Sequence, residues 1–184
     1  HFTYDSDQVK VRFSQDGREE EQYSFVFNGD ELTKVLGPDN EVVASFFYSS
    51  GRLAYFLYHR NYYYRDYSLV HDDVATDSVS VIYDKSQMNI HELRWFGNHQ
   101  NQGDPFELLY TCTYTHDDKY NPYCLSMYSL ARSWKCDDII SYFNRNNIVN
   151  IGTHNLSYRY NEYGYPIYSD NSTYGRTSFY YQPK

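Results

Sequence analysis

Two triplets carry the side chains that metal and acid–base chemistry use: His71-Asp72-Asp73 and His116-Asp117-Asp118. An imidazole beside two carboxylates can ligate a divalent cation, and two such groups together can supply a hydrolytic acid and base. Adjacent side chains rarely converge on one ion, however, and Asp and His are ordinary turn residues, so both triplets read more simply as turns. Glycoside hydrolysis would need two carboxylates held on rigid strands about 5 to 9.5 Å apart. Glu92 and Glu107 are the acids that the pattern places on strands, and nothing in the sequence pairs them. There is no G-x-S-x-G elbow, phosphate-binding loop, dinucleotide fingerprint or H-E-x-x-H helix. The chain is therefore expected to have no catalytic residues, no metal and no cofactor.

Aromatic residues offer a different chemistry. In "HRNYYYRDY", residues 59 to 67, strand alternation puts Tyr62 and Tyr64 on one face and Tyr63 on the other, and "LRWF" adds Trp95. Flat rings beside Arg, Asn and Asp suit a sugar, whose C–H face stacks on the ring while polar neighbours hydrogen-bond its hydroxyls. Tyr62, Tyr63, Tyr64 and Trp95 are thus the candidate ligand-binding residues. The competing explanation is that tyrosine is simply the strand former this chain uses, since 24 of its residues are Tyr.

The elements that would position these residues follow from composition and repeats. At 184 residues the chain suits a single domain, 1–184. Aromatic and β-branched types dominate over Ala, Leu and Met, which favours strands over helices. A net charge of −8 without any Lys/Arg cluster argues against nucleic acid. No apolar run is long enough for a membrane-spanning helix. The sequence starts at His1 rather than Met, which suggests that an N-terminal segment, such as a secretory signal, has been removed. Of the three cysteines, Cys124 and Cys136 can be bridged across a loop, leaving Cys112 as a buried strand thiol; no spacing suits zinc.

One pattern recurs: an alternating run ending in an aromatic, a short polar turn, and a resuming run. It appears in "VKVRFSQDGRE" (9–19), "YSFVFNGDELTKV" (23–35), "ASFFYSSGRLAYFLY" (44–58), "VSVIYDKSQMNIHEL" (79–93), "CTYTHDDKYNPY" (112–123) and "YRYNEYGYPIY" (158–168). Each reads as a β-hairpin, with Gly17, Gly29, Gly51 or Gly164 supplying a positive φ and Asx turns serving the copies without glycine. The turn aromatics Phe13, Phe27, Tyr48, Tyr83, Tyr114 and Tyr160 are irregularly spaced, which excludes a solenoid or propeller. The fold class is all-β: an antiparallel meander of repeated hairpins. Strands such as "VVASFFY", apolar on both faces, predict a strongly curved sheet or partial barrel. "GNHQNQGDP" (97–105) is a loop, and near 125–147 alternation fails in favour of a short helical or irregular insert. There Asp137 can cap a helix through Ile139, Ile140 and Phe143 that ends at Asn144–Asn147.

"YNEYGYP" (160–166) resembles the signature of YD-type repeats, with Asn161 where Asp is usual, and "YSSGRL" (48–53) is similar. The order "HDDKYNPY", irregular insert, "NRNNIVN" (144–150), Tyr-rich terminal hairpin resembles an uncharacterised family of Bacteroidales cell-envelope proteins with a porin-like fold. That resemblance implies a curved antiparallel sheet or partial barrel, export, and often a lipoprotein anchor at the periplasm or outer-membrane surface; a glycan or another envelope component is the expected partner. The resemblance implies no activity. Arg12, Lys34, Arg60, Arg94 and Arg159 interrupt the apolar bands that a membrane barrel needs. Asp77-Ser78-Val79 fits a short O-glycosylation acceptor pattern of such exported proteins. The expected role is binding or scaffolding, ahead of a structural module without small ligand and of a hydrolytic enzyme.

Overall fold

The structure, a computed structural model, describes residues 2–15, 18–60, 63–65, 68–70, 75–97, 107–125, 140–171 and 175–180, with backbone alone at 13–15, 18–21, 60, 63–65, 68–70, 75–76, 171 and 175–176. The described strands are β1 (Phe2–Asp5), β2 (Gln8–Gln15), β3 (Arg18–Asn28), β4 (Glu31–Leu36), β5 (Val42–Ser49), β6 (Arg52–Arg60), β7 (Tyr63–Arg65) and β8 (Ser68–Val70). They continue as β9 (Ala75–Tyr83), β10 (Ile90–Gly97), β11 (Glu107–Tyr120), β12 (Asn146–Ile151), β13 (His154–Tyr160), β14 (Pro166–Asn171) and β15 (Gly175–Ser178). One helix, α1 (Ile140–Phe143), precedes β12.

Thirteen strands form one antiparallel meander in the order β1-β2-β3-β4-β5-β6-β9-β10-β11-β12-β13-β14-β15, while β7 and β8 pair with each other. The order follows the chain, apart from the β7–β8 pair that intervenes between β6 and β9, and does not close β15 onto β1. By their contacts the residues gather into two compact units, 1–81 with 94–110, and 82–93 with 111–184.

In the first unit the ladder registers align Val9, Phe25, Val35 and Ala44 in one row, and Phe46, Phe56 and Val79 in another. All are buried, and each such Phe or Val contributes about 1.5–3 kcal/mol relative to an exposed position. The opposite face aligns Lys34, Ser45, Leu57 and Ser78, and then Phe47, Tyr55 and Ser80. Here Phe47 and Tyr55 remain partly exposed and stack on each other, centroids 4.5 Å apart and planes 9° apart. Ring stacking across the strands thus accommodates the aromatic content of the second face of β5.

Three hairpin turns share a four-residue core, and the turn at 84–89 is one residue longer than those at 37–41 and 161–165. The first residue donates its N–H to the carbonyl of the last: Gly37 to Glu41, Asp84 to Asn89 and Asn161 to Tyr165, each 2.9 Å. The fourth residue donates back to the first at 3.0 Å and takes a left-handed φ: Asn40 (61°), Gln87 (60°) and Gly164 (80°). This is a type I turn closed by a left-handed residue, the usual longer hairpin loop. Only one of the three seats is glycine, which explains why the turn at 37–41 escapes a search for glycine turns. Ser50 and Gly51, both at positive φ, give the tighter two-residue turn that matches strand twist.

The fifth sequence repeat is not a hairpin. β11 runs unbroken from Glu107 to Tyr120, and the turn falls later, at 121–125. Across the ladder His116 pairs with Ile148 and Tyr120 with Asn146, so Asp117, Asp118 and Lys119 oppose the single residue Asn147. The acidic run that reads as a turn is a β-bulge, in which extra residues on one strand are accommodated without ending it. α1 lies where helical turns are expected, with Ile140 and Tyr142 buried. Ile139, its expected cap Asp137, and Cys136 lie outside the described residues. Cys124 is a free, half-buried thiol whose pKa is raised by burial, against the pull of Arg145.

Gly164→Ala is expected to destabilise the protein by about 1 kcal/mol, the order of the cost of a left-handed seat for a residue with Cβ. Space is not the limit, since an added Cβ would meet Lys119 Cδ at an ordinary 3.6 Å. Gln87→Gly should shift the urea midpoint the other way, and a lower midpoint for Gln87→Gly would contradict the shared turn geometry.

Candidate functional site

The bulge collects the chemistry-bearing residues of the second unit. The Asp117 carboxylate accepts hydrogen bonds from the Tyr160 hydroxyl, from Lys119 N at 2.9 Å, and from Asn147 Nδ2 at 3.3 and 3.4 Å. Asn147 Nδ2 also lies 3.4 Å from the Tyr160 oxygen. Burial, then the hydrogen bond and charge of Asp117, raise the Tyr160 pKa, so the phenol stays protonated and donates. The Tyr158 ring, 6.1 Å from that of Tyr160, has its pKa raised by burial, then by Asp117 and Tyr123. With its lone pairs engaged this way, Asp117 is committed to holding the bulge. Among the described residues no group of three or more His, Cys, Asp or Glu side chains is arranged to hold a metal.

His116 precedes this carboxylate. Its Nε2 is buried without a hydrogen-bond partner. Burial is the main reason its pKa is lowered; Asp84 and Asp117 pull the other way, and His91 adds to the lowering. His91 Nδ1 itself lies 3.1 Å from the Tyr114 carbonyl.

The asparagine-rich segment 144–150 supports the bulge. Asn144, fully buried, accepts from Ile90 N at 2.6 Å. Asn121 Nδ2 donates to the carbonyls of Ser141 (2.8 Å) and Asn144 (2.9 Å), and its Oδ1 accepts from Tyr123 N at 2.9 Å. Asn89 Nδ2 donates to Asn146 Oδ1 (3.0 Å) and Asp84 Oδ2 (3.2 Å), while Asn89 Oδ1 accepts from Asn146 N (2.9 Å). Asn146 Nδ2 then reaches the Lys119 carbonyl within the bulge at 3.0 Å. Amides suit this role because each offers both donors and acceptors without a charge to desolvate. Asp84 is the charged member: burial raises its pKa, but hydrogen bonds from Ser86, Asn89 and the backbone of Met88 and Asn89 outweigh this and lower it.

The candidate rings read from the sequence do not form one described platform. Tyr62 lies outside the described residues. Tyr63 and Tyr64 lie in β7, paired with Val70 and Leu69 of β8, and only their backbone is described. Trp95 is buried, 8% exposed, stacked on Tyr110 at 4.8 Å and edge-on to Phe56 at 6.2 Å, so it belongs to the core of the first unit. His71-Asp72-Asp73 lie outside the described residues, and Glu92 and Glu107 fall in different units. Asp77 and Val79 are buried on either side of Ser78, and β9 is laddered to β6 along the whole triplet, so it is not presented as a free extended peptide.

The second unit does bring rings together at the surface. Tyr120, 49% exposed at the end of β11, meets Tyr165, 42% exposed, edge to face at 6.1 Å and 76°. Tyr165 belongs to the β13–β14 turn, where Asn161 Oδ1 accepts from Tyr163 N (3.0 Å) and Tyr165 N (2.9 Å) and so fixes the backbone that carries the rings. Tyr163 stands 77% exposed on the same turn. Lys119 runs its stem beside Gly164 and places its ammonium 3.1 Å from Asp118. The motif "YNEYGYP" signalled the turn, but nothing near Tyr120 in sequence signalled its partner ring, because a bulge sets that meeting. In comparisons with known proteins, the chain matches no family model and no curated protein.

A lowered histidine pKa means that the neutral form is favoured by folding, so this stabilisation is present above the unfolded value of 6.5 and is lost as pH falls through the folded value. Asp84 acts with the same sign at lower pH: its contribution is present above 3.8 and is lost as pH falls through its lower folded value. Stability should therefore decline between pH 7.5 and pH 5, and His116→Gln should flatten that decline while leaving the loss near pH 3; equal slopes for the two proteins in urea titrations would refute the assignment. Asn144→Ala, which strips the acceptor from a buried N–H, should cost about 1–3 kcal/mol at any pH.

Proposed function

We propose that this protein is an exported, envelope-associated binding module without catalytic activity, and that its ligand is a glycan engaged at Tyr120 and Tyr165. The observation that carries the reading is a pair of exposed rings in contact, Tyr120 at the end of β11 and Tyr165 on a hydrogen-bonded turn, with the Lys119–Asp118 pair immediately before Tyr120 as hydroxyl donor and acceptor. Sugar recognition combines a ring for the C–H face with a few placed polar groups, and both occur here. The export and envelope address is supported by the resemblance of "HDDKYNPY", "NRNNIVN" and the Tyr-rich terminal hairpin to Bacteroidales envelope proteins. A non-catalytic role is favoured because the acid best placed for chemistry, Asp117, is occupied by Tyr160, Asn147 and Lys119.

A second reading, a structural module that holds an assembly without a small ligand, is favoured by one specific observation. Trp95, the one indole among the described residues, is spent on packing against Phe56 and Tyr110.

A glycan array probed with the intact chain separates the two. Binding to at least one glycan class is expected, with Tyr120→Ala and Tyr165→Ala each weakening it by about tenfold or more, equivalent to about 1.4 kcal/mol, without a change in fold by circular dichroism. Silence across the array, or variants that bind like the parent, would favour the structural module.

A further inference from the structure

Resting on the glycan reading, we infer that the Tyr120–Tyr165 site takes a single neutral sugar unit at a chain end, and not the flat face of an extended or acidic polysaccharide. The ring geometry carries the first half. Rings that bind a flat polymer lie in one plane, so that successive sugars stack on successive rings. Tyr120 and Tyr165 stand 76° apart at 6.1 Å, with the edge of one against the face of the other. Both rings keep exposed surface, 49% of Tyr120 and 42% of Tyr165, and their planes stand at a steep angle instead of lying side by side. A sugar ring seated on one surface has its side against the other, which suits a terminal unit and blocks a chain that continues straight across.

Charge carries the second half. Lys119, which precedes Tyr120 and runs its stem past Gly164, the residue before Tyr165, has its ammonium 3.1 Å from Asp118, whose side chain is itself 83% exposed. Its charge is locally compensated, so a uronate would find little net attraction and would meet the field of a chain with net charge −8. Hydroxyls lose nothing by this pairing, because the ammonium retains protons to donate and the carboxylate lone pairs to accept.

The test uses the intact protein with defined probes: malto-, cello-, xylo- and manno-oligosaccharides of increasing length, oligogalacturonides, and linear against highly branched α-glucans at equal mass. In calorimetry the affinity for the preferred neutral series should reach its full value by about two units and change by less than about twofold beyond that, which is under about 0.4 kcal/mol. Branched polymer, rich in chain ends, should outcompete linear polymer, and oligogalacturonides should not bind. Asp118→Asn, which releases the Lys119 charge, should admit them. Affinity that climbs with every added unit, or a parent protein that prefers oligogalacturonides, overturns this inference while leaving glycan binding intact. Absence of binding to every probe overturns both.

Discussion

A single buried amide, Asn147, stands opposite three residues of β11, and the arrangement of the second unit follows from that mismatch. Its Nδ2 group lies within hydrogen-bond reach of Asp117, the Lys119 carbonyl and the Tyr160 hydroxyl, so it ties the bulge to the last residue of β13. Without extra residues, strand alternation would carry β11 to its end in fixed phase with β12. With Asp117–Lys119 opposite one residue, the register shifts by two before Tyr120, which keeps its face, pairs with Asn146 and brings its ring to Tyr165. The surface chemistry of this unit is therefore a product of its interior hydrogen bonding.

That interior is unusually polar. Asn89, Asn121, Asn144 and Asn147 are all buried, and each hydrogen-bonds at least one backbone group. An unpaired buried backbone group costs about 1–3 kcal/mol, so a short helix, a displaced turn and a bulge can coexist only where side chains close the gaps. The first unit is built mainly on apolar rows. Its rows of Val, Phe and Ala pair across neighbouring strands between register shifts, and its surplus rings stack in pairs, Phe47 on Tyr55 and Trp95 on Tyr110. Two solutions to the same composition thus sit in one meander.

What the sequence made legible follows this division. Where period-2 alternation is intact, as in β2 to β6, the hairpins and their glycine turns at Gly29 and Gly51 could be read directly, because local sterics decide them. At Asn40 and Gln87 a left-handed seat is filled without glycine, and composition gives little sign of it. His116-Asp117-Asp118 reads as a turn because acidic residues favour turns, whereas its bulge is dictated by Asn147, thirty residues later in the chain. Trp95 was a reasonable ring to place in a platform from sequence, yet burial depends on the row it joins, and it joins that of Phe56. Pairing of Tyr120 with Tyr165 is equally a matter of tertiary register and could not be read from either neighbourhood.

The most direct measurement of the bulge as organiser is the nuclear Overhauser effect between the Tyr120 and Tyr165 rings, recorded in the parent protein and in Asn147→Ala. The parent should show the ring-to-ring cross-peaks expected of centroids 6.1 Å apart. Asn147→Ala should lose them while its other amide resonances remain dispersed, since the bulge would relax without unfolding the sheet. Cross-peaks of equal strength in both proteins would mean that the ring pair forms without the bulge hydrogen bonds, and would contradict the dependence of the surface site on Asn147.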